Sequence, residues 1–235
     1  MSPFLFAGIP YEAHTVSGSH PRRCASSARN TASWRIEIRS THARKGGKRL
    51  VKEQQIREAV SSILDAIGED VDREGLRETP GRVARMYAEF FSGLSQDPAK
   101  ELATGFEEGH RDIVVLKGIE FNSICKHHLL PFYGTAQIGY VPCGRVVGAS
   151  KLARVLDVLA RRPQLQERLT NQFVDVVYTT LQPEGVAVIL SAKHMCMTMR
   201  GVKKPGSEIV TQASRGSLKT QPDVRRDFLA MLQEM

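Results

Sequence analysis

The sequence predicts an α+β domain behind a basic N-terminal extension. Two observations carry the fold class. Apolar residues recur at helical spacing in several separate windows, and β-like stretches stand in pairs between those windows. The resulting order is helices, two strands, two helices, two strands and a closing helix, which fits an α+β class. A third observation sets the extension apart: the charge is unevenly placed along the chain. At 235 residues, 41% apolar and 25% charged, the chain has the size and composition of one sizeable globular domain with an appendage.

The net charge of +8 suggests nucleic-acid binding until it is located. Residues 1–50 hold nine Lys or Arg against Glu12 and Glu37, a balance of +7, whereas residues 51–235 hold 24 against 23. The folded part is therefore near neutral, and no nucleic-acid partner is expected. The extension is rich in Ser, Arg, His and Gly, lacks sustained periodicity, and reads as disordered or transit-like. Its start, MSPFLFAGIP, is too short and too poorly flanked for a signal peptide or a membrane span. A cytoplasmic protein with no membrane partner is the expectation.

From Val51 the pattern turns helical, with Val60, Ile63, Leu64 and Ile67 at i, i+3, i+4 and i+7. After the acidic turn GEDVDREG, Thr79-Pro80 reads as N-cap and first residue of a second helix, with Val83, Met86, Tyr87 and Phe90 as its stripe. Arg82 and Arg85 lie off that stripe, where solvated charge is the ordinary reading. Residues 112–121 and 131–142 read as strands, with Cys125–His128 in their connection, and Cys143 falls in the following turn without an assigned role. Ser150 reads as the N-cap of a helix with the stripe Leu152, Val155, Leu156 and Leu159, closed by Pro163. Lys151 and Arg154 share a flank of its first turn. Two cations there oppose the helix macrodipole, a mild penalty that makes sense where an anion docks. A further helix spans about Leu165 to Leu181, with Gln166 and Glu167 in its first turn; Glu is favoured there for dipole reasons alone. Pro183-Glu184-Gly185 turns the chain into a strand, IVTQASRG forms the last strand, and Asp223 to Leu232 a short amphipathic helix.

The chemistry concentrates in Cys125-Lys126-His127-His128 and, some seventy residues later, His194-Met195-Cys196. A thiol, an imidazole three residues on and a distant second thiol are a three-ligand set for zinc, which binds sulfur and nitrogen tetrahedrally and in catalytic sites keeps one position open. If the second strand runs on past Cys196, its period of two puts His194, Cys196, Thr198 and Arg200 on one face, with Met195, Met197 and Met199 buried on the other. A Cys125–Cys196 disulfide is disfavoured in a chain with no secretory signal. One of His127 and His128 is left over, as is His194. Imidazoles beside a metal suit acid–base chemistry near neutral pH.

Taken together, CKHHLLPFYG, VVGASKLARV, RRPQLQERLT, KHMCMTMRGV and, upstream, DREGLRETPGRVARMY resemble the GTP cyclohydrolase I family over about residues 51–235. The resemblance implies the tunnelling fold, a β-β-α-α-β-β unit, here preceded by N-terminal helices (51–105) and occupying 111–235. It implies a toroidal homo-oligomer, a decamer of two pentamers, with active sites at subunit interfaces. By motif position it implies Cys125, His128 and Cys196 as Zn2+ ligands, and His127 and His194 as catalytic acid–base groups. Ser150, Lys151, Arg154 and Arg200 fall where the family binds the triphosphate, and Arg82 matches an arginine donated by a neighbouring subunit. Gln166 and Glu167 match the pair near the purine. The implied reaction is zinc-dependent hydrolysis of GTP at C8 with ring opening, loss of C8 as formate and rearrangement to 7,8-dihydroneopterin triphosphate, which feeds tetrahydrofolate or another pterin pathway.

Two positions depart from the family's usual pattern. Lys126 stands where Glu is usual, and Ala149 where a larger apolar residue is commoner. The competing readings are a non-catalytic, regulatory paralogue with structural zinc, which the retained histidines disfavour, and an enzyme acting on another purine nucleotide.

Overall fold

The computed structural model describes residues 51–233. The basic extension lies outside them. In chain order the elements are α1 (Glu53–Ala66), α2 (Thr79–Phe90), β1 (Phe106–Glu107), β2 (Val114–Cys125), β3 (Pro131–Val141), β4 (Arg145–Val146), α3 (Ala149–Ala160), β5 (Pro163–Gln164), α4 (Gln166–Leu181), β6 (Gly185–His194), α5 (Met195–Thr198), β7 (Ile209–Gly216), α6 (Ser217–Thr220) and α7 (Pro222–Gln233). Short 3-10 turns at Ser92–Ser95 and Pro98–Leu102 join α2 to β1. The long elements β2, β3, α3, α4, β6 and β7 reproduce the expected β-β-α-α-β-β order in a mixed α+β fold, consistent with a tunnelling fold.

Among the described residues the main sheet runs β5-β2-β3-β6-β7, antiparallel except where β5 joins β2 in parallel. Helices α3 and α4 cover one face. Leu152, Val155, Leu156 and Leu159 from α3 and Leu169, Phe173 and Val177 from α4 meet Phe121, Phe132, Ile138, Val188 and Leu190 from the sheet, all buried. Each such side chain contributes roughly 1.5–3 kcal/mol by leaving water, so this layer is the main source of stability. The opposite face carries a smaller cluster of Val141, Ala187, Leu218 and Phe228 under α7. Gly139 is what lets α7 sit there, because a Cβ at that position would lie 2.6 Å from the Phe228 ring.

Several local expectations change. β2 runs on to Cys125, so the thiol ends a strand instead of lying in a loop; its bulge between Leu116 and Ile119 contains Gly118 at φ +67°. Gly148, not Ser150, holds the N-cap position of α3, and Glu78, not Thr79, that of α2; neither makes a side-chain cap. The stripe of α1 forms a helix as expected, yet α1 has no buried residue, and Ile63 and Ile67 are 58% and 68% exposed. No helix among the described residues is long and apolar enough to cross a membrane.

Candidate metal centre and active site

Strand β6 stops at His194, and Met195–Thr198 winds into a single helical turn. The period-two alignment of His194, Cys196, Thr198 and Arg200 is therefore wrong. Met195 and Met197 are only half-buried, and Met199 is 65% exposed. The helical turn after the strand is what carries Cys196 to the end of β2. There the chain reverses after Cys125: Leu130 O accepts from Cys125 N at 2.9 Å and Cys125 O from Leu129 N at 2.9 Å, with Leu129 itself at φ +53°. Lys126 N donates to Gln164 O at 2.9 Å, pinning the turn to β5.

This brings one ligand atom each of Cys125, His128 and Cys196 within 4.8 Å of one another. Both thiols are unbridged, and Cys125 is buried. Burial pushes the Cys196 thiol up, and the Cys125 thiol beside it pushes it further, with Arg200 acting weakly the other way. Two thiols so placed are poorly suited to ionise together without a cation between them. Two sulfurs and an imidazole suit a metal that accepts soft and borderline donors. Arg200 Nη1 donates to His128 Nε2 at 3.2 Å, and the His127 and His128 rings stand edge to face, centroids 6.3 Å apart.

His194 is buried and stacks on Phe132, its partner in the β3–β6 register, with centroids 4.5 Å apart and planes 5° from parallel. Desolvation lowers its pKa, and the Glu167 carboxylate acts in the opposite sense. Its Nε2 lies 2.8 Å from Gln166 Oε1. Gln166, expected near a purine, is 1% exposed and points into the protein; Glu167 beside it faces solvent. Ser150 and Arg154 are exposed and Lys151 half-buried on the first turns of α3, and Arg154 lies at 4.0 Å from Glu101. Arg82 stands exposed on α2. Sequence reasoning missed Phe132, Thr170 and Thr211, because each meets the site through strand register or helix packing that leaves no mark in a motif.

A family model described as GTP cyclohydrolase I matches residues 56–233. The chain belongs to the GTP cyclohydrolase I family. Among curated relatives, GTP cyclohydrolase 1 of Dehalococcoides mccartyi is 56% identical over 183 residues, covering 77% of this chain and 97% of the relative. The enzyme of that name from Carboxydothermus hydrogenoformans is 54% identical over 184 residues, covering 78% and 96%. That from Bacillus subtilis is 53% identical over 180 residues, covering 76% and 95%. A solved structure of the archaeosine synthase QueF-like in the apo form aligns at 21% identity and a TM-score of 0.36 over 45% of this chain and 94% of that one, too low to bear on the fold. Membership of the GTP cyclohydrolase I family covers both arms of the Cys–His–Cys group and the helices α3 and α4 between them.

Proposed function

We propose that this chain is a zinc-dependent GTP cyclohydrolase converting GTP to 7,8-dihydroneopterin triphosphate and formate, at the entry to folate or pterin synthesis. The observation that carries the reading is the Cys125–His128–Cys196 group with His194 at the adjoining strand end, in a family whose relatives bear the name GTP cyclohydrolase 1. Cys125, His128 and Cys196 hold the metal. When bound, zinc supplies a Lewis acid that activates water near neutral pH.

The chain's own residues do the rest. His127 and His194 exchange protons with the purine and ribose as the imidazole ring opens, C8 leaves as formate and the sugar rearranges. The Glu167 carboxylate, an acceptor-only group with two oxygens, takes the guanine N–H donors. Ser150, Lys151, Arg154 and Arg200 hold the unreacting triphosphate, and that remote binding orients C8. Arg82 reaches the site of a neighbouring subunit. Residues 51–235 form the catalytic domain, with a helical part at 51–105 and a core at 111–235, and residues 1–50 a basic extension.

Homo-oligomerisation into a ring, two pentamers forming a decamer, is supported by edges left open among the described residues. β5 pairs with β2 only at Ile124 and Cys125, and β7 has a partner on one side, with Val210 64% exposed. Joining unlike edges of successive copies closes a ring and hides unpaired backbone. Formate release and pterin absorbance from zinc-loaded protein and GTP test the activity. Chelator-sensitive formation of both products is expected; metal-bound protein that yields neither overturns the reading. Native mass spectrometry tests the decamer.

A further inference from the structure

We propose that Gln166 is a positioning residue that holds the proton of His194 on Nε2, leaving Nδ1 as the ring nitrogen whose lone pair faces the chemistry. The inference rests on the reading of His194 as an acid–base group and deepens it. The orientation of the Gln166 carboxamide follows from its surroundings. Its Nε2 lies 3.1 Å from Leu190 O on β6 and 2.8 Å from Ile209 O on β7. Backbone carbonyls can only accept, so the nitrogen end must face them, and the oxygen end must face His194. A carboxamide oxygen can only accept in turn. His194 Nε2, at 2.8 Å, is therefore the donor, and the hydrogen bond made by one ring nitrogen decides the role of the other.

Two threonines hold the carboxamide in place. Thr170 Oγ1 donates to Gln166 O at 2.6 Å, which commits its proton. Thr211 Oγ1, 2.7 Å away, then donates to Thr170 and turns a lone pair toward Gln166 Nε2 at 3.2 Å. Every donor in this chain of groups has an acceptor, and reversing the carboxamide would set its oxygen against two carbonyls. The Phe132 ring stacked on the imidazole holds the plane in which the ring lies. Gln166 thus acts through His194, from a buried position that leaves the purine to Glu167.

The test is solid-state NMR of the zinc-loaded, full-length protein carrying 15N-histidine, with His194 identified among the seven histidines by its loss in His194→Ala. A protonated Nε2 on His194 is the expected result; an unprotonated Nε2 overturns the proposal. Kinetics of Gln166→Met supply the second reading. At least about a tenfold fall in kcat, with KM for GTP changed by less than about threefold, is expected from a misplaced acid–base group. An unchanged kcat, or a rise in KM exceeding the fall in kcat, overturns it, the latter because it puts the side chain on the substrate. Failure of the wild-type protein to turn over GTP would sink the proposed function instead, and the wild-type spectrum would still decide the proton's position.

Discussion

Arg200 Nη1 donates to His128 Nε2 across 3.2 Å, joining the segment after β6 to the turn before β3. A guanidinium only donates, so Nε2 must offer a lone pair. A metal bound through Nε2 uses that lone pair, and one bound through Nδ1 forces the proton of the neutral ring onto Nε2. Either way the contact is incompatible with a metal bound to His128, so loading the site is expected to free Arg200, the group proposed to hold the triphosphate. Arg200→Ala is therefore expected to keep its metal while KM for GTP rises about tenfold or more. Elemental analysis and steady-state kinetics check this, and loss of metal in the variant would contradict it.

Removing a proposed ligand has the opposite signature. Cys125→Ser or Cys196→Ser leaves two donors of the three brought together, and zinc content and turnover are expected to fall together. A chelator should do the same to the wild-type protein and lower its thermal midpoint, since whatever binds only the native state stabilises it by mass action. Metal analysis with and without chelator, alongside thermal unfolding, reads both effects.

His127 stands beside His128 without belonging to the Cys125–His128–Cys196 group. His127→Ala should retain zinc and assembly while kcat falls by roughly 10²–10⁴, the usual contribution of a positioned acid–base group. Unchanged turnover would remove His127 from the mechanism, and loss of zinc would reassign it as a ligand.

The second core gives a prediction independent of catalysis. Phe228 is buried against Gly139. Phe228→Ala is expected to cost about 3–5 kcal/mol through lost burial and the cavity left behind. Gly139→Ala should also destabilise, because the new methyl group meets the ring at 2.6 Å. Chemical denaturation of both variants measures the effect, and an unaltered midpoint in either would show that α7 is not held by this contact.

Much of the candidate site was legible because its residues fall in two short motifs. Cys125 and His128 are three apart, and a thiol with an imidazole at that spacing signals metal without any structure. Cys196 could be read as a candidate third donor, but its path to the other two could not: the extended strand expected through Arg200 gives way to a helical turn from Met195. Gln166 shows the same limit from the other side. Its place in the first turn of α4 and its neighbour Glu167 could be read from the chain, whereas its inward rotation could not, because three of its partners, Leu190, Ile209 and Thr211, lie on β6 and β7.

By itself the sequence determined the α+β order, the apolar stripes of α3 and α4, the near-neutral charge of residues 51–235 and the cysteines and histidines available for chemistry. Hydrophobic period and residue spacing are local properties, and a local pattern survives in a one-dimensional string. Tertiary structure decided that Cys196 meets Cys125 and His128, that Phe132 stacks on His194, and that Gln166 turns its oxygen to that imidazole. Each depends on strand register and on helices docking across a sheet, where groups far apart in the chain satisfy one another's hydrogen bonds. Such pairings are settled only when the whole core closes, because a buried polar group must find its partner there.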